Sequence, residues 1–246
     1  MTHHRLAVTL ALLCLLCLCA LAASADSSLY GASLTAGPVA TATPSYLGAT
    51  GLLITPTAMI AAPLKGAVYF HQIRSDPDQS FFGVTLGLPL GLEVSGVRLE
   101  NLEPLPTAPD DNPDATVFNA KWQVPLESWL KTSMAPKVAV GAFDAGNEVN
   151  RTYYLALSRS FSLTQRNNTA LNLHLGWGHP NKDDTRLDGL FAGFDFVPFS
   201  KALVQVEYDA KDINANIRFS PVPRVSLDLG VVADDFAWGA TFRSDW

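Results

Sequence analysis

In Asn168-Thr-Ala-Leu-Asn-Leu-His-Leu-Gly-Trp-Gly178, Leu171, Leu173, Leu175 and Trp177 share one parity, while Asn168, Asn172, His174 and Gly176 share the other. The stretch Phe236-Ala-Trp-Gly-Ala-Thr-Phe-Arg-Ser-Asp-Trp246 repeats the pattern, with Phe236, Trp238, Ala240, Phe242, Ser244 and Trp246 set against Ala237, Gly239, Thr241, Arg243 and Asp245. A period of two gives each set its own face of a strand. A sheet with one continuous apolar face has to cover it, either with a second sheet or with lipid.

Working outward, the N-terminus favours lipid. Met1–Arg5 is a short basic start, Leu6–Leu21 is an apolar run, and Ala23-Ser24-Ala25 has the small residues of a cleavage site. This reads as an export signal over 1–25, cleaved near Ala25. All three cysteines (Cys14, Cys17 and Cys19) fall inside it, so disulfide, thiolate-metal and thiol chemistry are not expected of the processed chain. The formal charge of -6 becomes one unit more negative once Arg5 is removed, and no basic run follows; nucleic acid is not an expected partner. No apolar stretch beyond the signal is long enough for a spanning helix, so any membrane crossing must use barrel strands of about 9–11 residues.

Residues 26–65 form a leader rich in small residues, and its Gly48–Thr57 portion carries too many glycines and prolines for a regular strand. Such a segment is expected in the periplasm or folded into a lumen. The barrel is expected over 66–246, with strands at 66–74, 80–88, 90–99, 115–124, 137–144, 151–161, 168–177, 188–198, 202–208, 213–220, 224–232 and 236–246. The first three alternate less cleanly. Pairing Tyr208 with Ile213 also matches Val206 with Ala215 and Val204 with Ile217. Pairing Val231 with Phe236 aligns Leu229 with Trp238, Leu227 with Ala240 and Val225 with Phe242. A one-residue slip would scramble both faces of these hairpins.

Connection lengths alternate as well. Long polar links at 75–79, 100–114, 145–150 and 178–187 take turns with tight ones near Pro89, 199–201 and 221–223. The exceptions are the link at 125–136, where Leu126–Met134 reads as a short helix, and the short links near Ala210 and Asp234, which fall where long ones are expected. Outer-membrane barrels have this asymmetry, with short periplasmic turns and longer outer loops. The fold class expected is therefore all-β: an antiparallel transmembrane barrel of about 12 strands in the outer membrane of a Gram-negative bacterium. Trp122, Trp177, Tyr208, Trp238 and Trp246 lie on the apolar parity near strand ends, where a lipid-interface girdle belongs. A final aromatic on that parity also suits recognition by the barrel assembly machinery.

Asp188-Gly-Leu-Phe-Ala-Gly-Phe-Asp-Phe196 and Val206-Glu-Tyr-Asp-Ala-Lys-Asp-Ile-Asn-Ala-Asn-Ile-Arg-Phe219 resemble the YjbH-type family of exopolysaccharide-biosynthesis outer-membrane proteins. So do Gly51-Leu-Leu-Ile-Thr-Pro-Thr-Ala58, Gly91-Leu-Glu-Val94, Pro136-Lys-Val-Ala-Val-Gly141 and Gly176-Trp-Gly178, in the family's order. This chain corresponds to one short module, and Phe143-Asp-Ala-Gly-Asn147 departs from the family pattern. The resemblance implies a non-enzymatic part in exopolysaccharide assembly or export, with outer-membrane lipid, polysaccharide and other export components as partners.

The polar parity supplies the lumenal candidates: Asn119, Lys121, Gln123, Asn172, His174, Asp195, Gln205, Glu207, Asn214, Asn216, Arg218, Asp228 and Arg243. Amides and mixed charges suit sugar hydroxyls. They equally suit mutual pairing, for which Glu207 with Arg218 and Arg243 with Asp228 are the expected partners. His179 with Asp183 and Asp184 is weighed as a divalent site, but such a loop is more often simply acidic; no metal or cofactor is expected. No Gly-x-Ser-x-Gly, His-Glu-x-x-His or phosphate-loop motif occurs. The rival functions are a general diffusion channel, a lipid-modifying barrel enzyme using a Ser/His pair, and a soluble periplasmic sugar-binding β-sandwich.

Overall fold

The computed structural model describes residues 43–101, 114–126, 136–164, 169–182, 186–199 and 201–244. The signal, the leader up to residue 42, Asp183, Asp184, Trp246 and nearly all of the Leu126–Met134 segment lie outside these. Twelve strands follow in order: β1 (Gly66–Arg74), β2 (Gln79–Leu88), β3 (Leu92–Glu100), β4 (Ala115–Val124), β5 (Lys137–Phe143) and β6 (Thr152–Thr164) make the first half. The second half is β7 (Thr169–Pro180), β8 (Gly189–Phe199), β9 (Ala202–Tyr208), β10 (Ile213–Val222), β11 (Val225–Val232) and β12 (Asp235–Arg243). Each pairs antiparallel with its neighbour, and β12 returns to β1, from Phe236↔Arg74 to Arg243↔Ala67, closing the barrel.

The registers read from sequence are the observed ones: Tyr208↔Ile213 and Val204↔Ile217 between β9 and β10, Val231↔Phe236 and Leu229↔Trp238 between β11 and β12. Alternation is what holds them, since a slip would turn Leu229 inward and Asp228 outward. Leu173, Leu175, Trp177, Leu229 and Phe242 all point away from the lumen and are exposed, as are Phe82 and Phe118. An apolar belt on every side of a closed barrel is far larger than a water-soluble surface carries. It faces hydrocarbon. The soluble-sandwich alternative is excluded by the same observation, because among the described residues no second sheet covers the exposed Leu173, Leu229 and Phe242 row.

The early strands alternate poorly for a physical reason. Ile73, Phe81, Val97, Leu99, Val117 and Phe143 point inward and are buried, packed with Leu47, Leu53 and Ile54 of the N-terminal segment. The lumen near the longer links is therefore apolar, contrary to the expectation of a polar lining throughout. Tyr69 lies over Gly83 and Phe191 over Gly176; a Cβ at these glycines would come within 2.2 Å and 2.1 Å of the ring substituents. Larger residues there would push the rings out of the lumen.

The belt yields a direct test. Leu173→Arg should destabilise the barrel by about 2–4 kcal/mol, as expected for a charge near the bilayer midplane. Leu173→Phe, apolar at the same lipid-facing position, should change little. Denaturant titration of each variant in lipid vesicles measures the difference.

Candidate functional site: a lumen closed by the N-terminal segment

Residues 43–58 fill the barrel. They are buried throughout and fold on themselves through a two-residue ladder (Thr43↔Gly51, Pro44↔Thr50) and turns such as Tyr46 N–H to Leu53 O, 2.7 Å. Gly48 has φ +103°, and a Cβ on it would lie 2.8 Å from Asn119 Nδ2, so a side chain is excluded on both counts. The segment Gly48–Thr57 is thus a lumenal plug.

The wall grips the plug by its backbone. Glu207 Oε1 accepts from Ile54 N–H (2.8 Å), and its Oε2 accepts from Leu53 N–H (3.2 Å), Thr55 N–H (3.0 Å) and the Thr55 hydroxyl (2.8 Å). Three successive amides converging on one carboxylate form an anion nest, with the anion supplied by the wall. A second grip is built on the β3–β4 pair Glu93↔Lys121, whose charges lie 3.1 Å apart. Glu93 accepts from Thr50 N–H (2.8 Å), the Thr50 hydroxyl and Ala61 N–H (2.8 Å). Lys121 Nζ donates to Thr50 O (2.7 Å) and Met59 O (2.6 Å). Asn119 donates to Leu47 O, Gln123 to Ala58 O, and Ser158 Oγ accepts from Ala58 N–H. The Tyr46 ring stacks on His71 at 4.2 Å between centroids.

The remaining lumenal candidates mostly pair among themselves. Arg218 Nε donates to Asp228 Oδ1 at 2.8 Å, Asn216 bridges Gln205 and Asp228, and Asn214 donates to Glu207 and Asp209. Asn172 and His174 both donate to Asp195. Two expected pairs are corrected. Glu207 faces Asn214, four residues up the sheet from Arg218, a separation of about 13 Å at the rise of a strand. Arg218 instead meets Asp228 directly opposite on β11, and its Nη1 reaches the Thr43 hydroxyl of the plug. Arg243 does not reach Asp228: it sits half-buried at the barrel rim and donates to Pro223 O.

Of the aromatics, Trp122 lies near the short-turn end, Trp177 and Tyr208 near the long-link end, all exposed on the outer face. Trp238 faces outward half-buried, donating to Gln72 Oε1 at 2.9 Å. Wall residues that hold the plug yet escaped the sequence reading include His71, Thr85, Glu93 and Ser158. Glu93 and Ser158 both sit on the lumenal parity of their strands (Glu93 between Leu92 and Val94, Ser158 in step with Tyr154 and Ala156), and that parity was the available signal.

The long-link end is roofed. Asp144 in the Phe143–Asn147 stretch accepts from the amides of Glu148, Val149 and Asn150, folding that link inward. Arg186 pairs with Asp209 beside Leu187, which is buried. The cavity left beneath Leu47, Phe143, Val149 and Leu187 is about 20 Å³, room for about one water. The plug is not a perfect fit, however. Tyr69 Oη, Tyr154 Oη, Gln205 Nε2 and Thr241 Oγ1 are buried without a hydrogen-bond partner.

No family model matches the chain, and no curated protein matches it. Among solved structures, the KdgM porin, alone and in complex with disordered oligogalacturonate, aligns at 11% identity over 73% of this chain and 99% of the porin, TM-score 0.46. A de novo designed transmembrane β-barrel aligns at 9% identity over 76% of this chain and all of the design, TM-score 0.26. OprB of Pseudomonas putida aligns at 9% over 73% of this chain and 90% of its own, TM-score 0.30. Closure, strand count and the lipid-facing belt decide the class. The chain is an outer-membrane-type β-barrel. Likeness at these values adds nothing about solute or mechanism.

Removing the nest carboxylate should loosen the plug and spare the wall. Glu207→Ala leaves three buried amides unpaired, each worth about 1–3 kcal/mol. Hydrogen exchange at Leu53, Ile54 and Thr55 should accelerate, while amides of the β11–β12 ladder keep their protection. Equal acceleration in both regions would mean that Glu207 supports the barrel rather than the plug.

Proposed function

We propose that this barrel is a gated outer-membrane conduit for hydrophilic solutes, closed at rest by residues 43–58 and opened when that segment leaves the lumen. The carrying observation is that one continuous N-terminal segment, residues 43–58, runs buried through the lumen and is held there by wall side chains on its backbone. A barrel that served only as a scaffold could fill its interior with wall side chains, as smaller barrels do. The diffusion-channel alternative is supported in this gated form. Wall groups left unpartnered under the plug would regain water once it moved, which offsets part of the hydrogen bonding lost.

The plug leads into β1 through residues 59–65, and a cleft of about 160 Å³ lined by Pro44, Ala61, Lys65, Gly66, Arg243 and Ser244 borders both of its ends. Entry and exit thus share the short-turn end, the periplasmic one in barrels of this type. The resemblance to YjbH-type proteins supports an exopolysaccharide or its fragments as the cargo, and the amide-rich wall is chemically suited to hydroxyl-rich solutes.

Conductance in planar bilayers tests the gate. Wild-type protein should be nearly silent, and Glu207→Ala should open intermittently. The Leu52 Cδ1 methyl lies 2.4 Å from where a Cβ on Gly193 would be, so a Leu52→Cys/Gly193→Cys pair sets a plug sulfur against a wall sulfur; that Cβ also lies 2.7 Å from Val206 O, so heat-modifiable migration of the reduced double variant checks that the barrel still assembles. Added to Glu207→Ala, the cysteine pair should abolish openings when oxidised and restore them when reduced. Large steady conductance in the oxidised double-cysteine protein would overturn the gate.

A further inference from the structure

Ser158, His174 and Asp195 sit side by side on β6, β7 and β8, a grouping no single sequence motif announces. Ser158 and His174 are direct ladder partners, and Asp195 is paired with Asn172 on the next strand. Ser158 Oγ lies 2.8 Å from His174 Nδ1, and His174 Nε2 lies 2.9 Å from Asp195 Oδ2. Asn172 Nδ2 donates to the other carboxylate oxygen, fixing its plane. With the carboxylate accepting the Nε2 proton, the imidazole presents the Nδ1 lone pair to the Ser158 hydroxyl. That is the tautomer a general base needs, with the two ring nitrogens in exchanged places relative to a serine protease. Pinning a plug amide requires only the serine oxygen; the oriented imidazole and carboxylate behind it are surplus to that task.

We propose that Ser158, His174 and Asp195 form a masked nucleophilic site that cleaves a carboxylic ester of a hydrophilic lumenal solute once the plug is withdrawn; this rests on the gated-conduit reading. The mask is the plug itself. Ala58 N–H donates to Ser158 Oγ at 2.8 Å and occupies the lone pair that would attack. Ser158 pairs with Lys137, the first residue of β5, which places the group toward the short-turn mouth, under residues 58–61 of the plug's exit. Ladder partners share a face with Cβ atoms about 4.5–5.5 Å apart, so the Lys137 side chain is rooted on the lumenal parity next to the nucleophile, the register position from which its ammonium would reach an oxyanion.

The chemistry balances without a cofactor. Ser158 Oγ bonds to the ester carbonyl carbon as its proton passes to His174 Nδ1. Collapse breaks the carbon–oxygen bond to the alcohol, which leaves with that proton. Water then attacks the acyl-serine, its proton again passing through His174 to Oγ as the acid departs.

The test uses the full chain carrying Glu207→Ala, monitored in parallel for bilayer conductance and for reaction with a fluorophosphonate probe and p-nitrophenyl acetate. The expected result is openings together with probe adducts mapped to Ser158. Adducts should vanish in Ser158→Ala, and ester turnover should fall by about 10²–10⁴ in His174→Ala, the usual contribution of a general base. Heat-modifiable gel migration checks that each variant remains a barrel. Should His174→Ala not assemble, Asp195→Asn replaces it, with a large fall in turnover again expected. Openings without adducts or turnover would overturn the esterase and leave the gate standing. Absence of openings would overturn the gate, and the masked site with it.

Discussion

Every backbone amide and carbonyl that enters hydrocarbon has to be hydrogen-bonded within the protein, and here the ladder from β12 back to β1 meets that demand. Closing the sheet removes its edges and creates an inside. Alternation then sends Leu173, Leu229 and Phe242 to the lipid and Asn172, Asp228 and Thr241 inward. Once charges such as Glu93, Lys121, Glu207 and Arg218 are enclosed, each must find a partner. The plug meets that second demand by presenting unpaired amides and carbonyls to them. Barrel and plug are therefore solutions to the same accounting of polar groups, one on the wall and one inside it.

The balance between the two grips is informative. Glu207 offers only acceptors and collects amides, while the Glu93–Lys121 pair offers both signs and takes amides and carbonyls from the same stretch. Buried ion pairs contribute little net stability but specify geometry. Such contacts fix the plug in one pose without binding it as a hydrophobic core would. Leu47, Leu53 and Ile54 add apolar burial at the long-link end, where the wall has given up its polarity to receive them.

Strands with lipid on one side and polar partners on the other were legible in sequence, and the β9–β10 and β11–β12 hairpins could be registered residue by residue. Among the strands, the legible part stopped where the plug began to matter. Phe81, Val97 and Leu99 are apolar on the lumenal parity because Leu47, Leu53 and Ile54 lie against them, a contact between segments far apart in the chain. Glu207 could be placed in the lumen by its alternation, but its role could not: its partners are main-chain groups of Leu53–Thr55, which carry no side-chain signature. The expected Glu207–Arg218 pair failed for the related reason that sign complementarity ignores axial distance. Ser158 was overlooked because a serine flanked by Leu157 and Arg159 reads as filler until His174 is set opposite it.

The separation between Glu207 and the residues it holds, more than one hundred and fifty positions, constrains biogenesis. Residues 43–58 leave the ribosome before the barrel strands, yet the cradle that receives them draws on strands from both halves of the barrel. Docking of that segment is consequently a late event in maturation, dependent on a wall whose last strand is made last. Until then its apolar residues, Leu47, Leu52, Leu53 and Ile54, have no barrel interior to cover them.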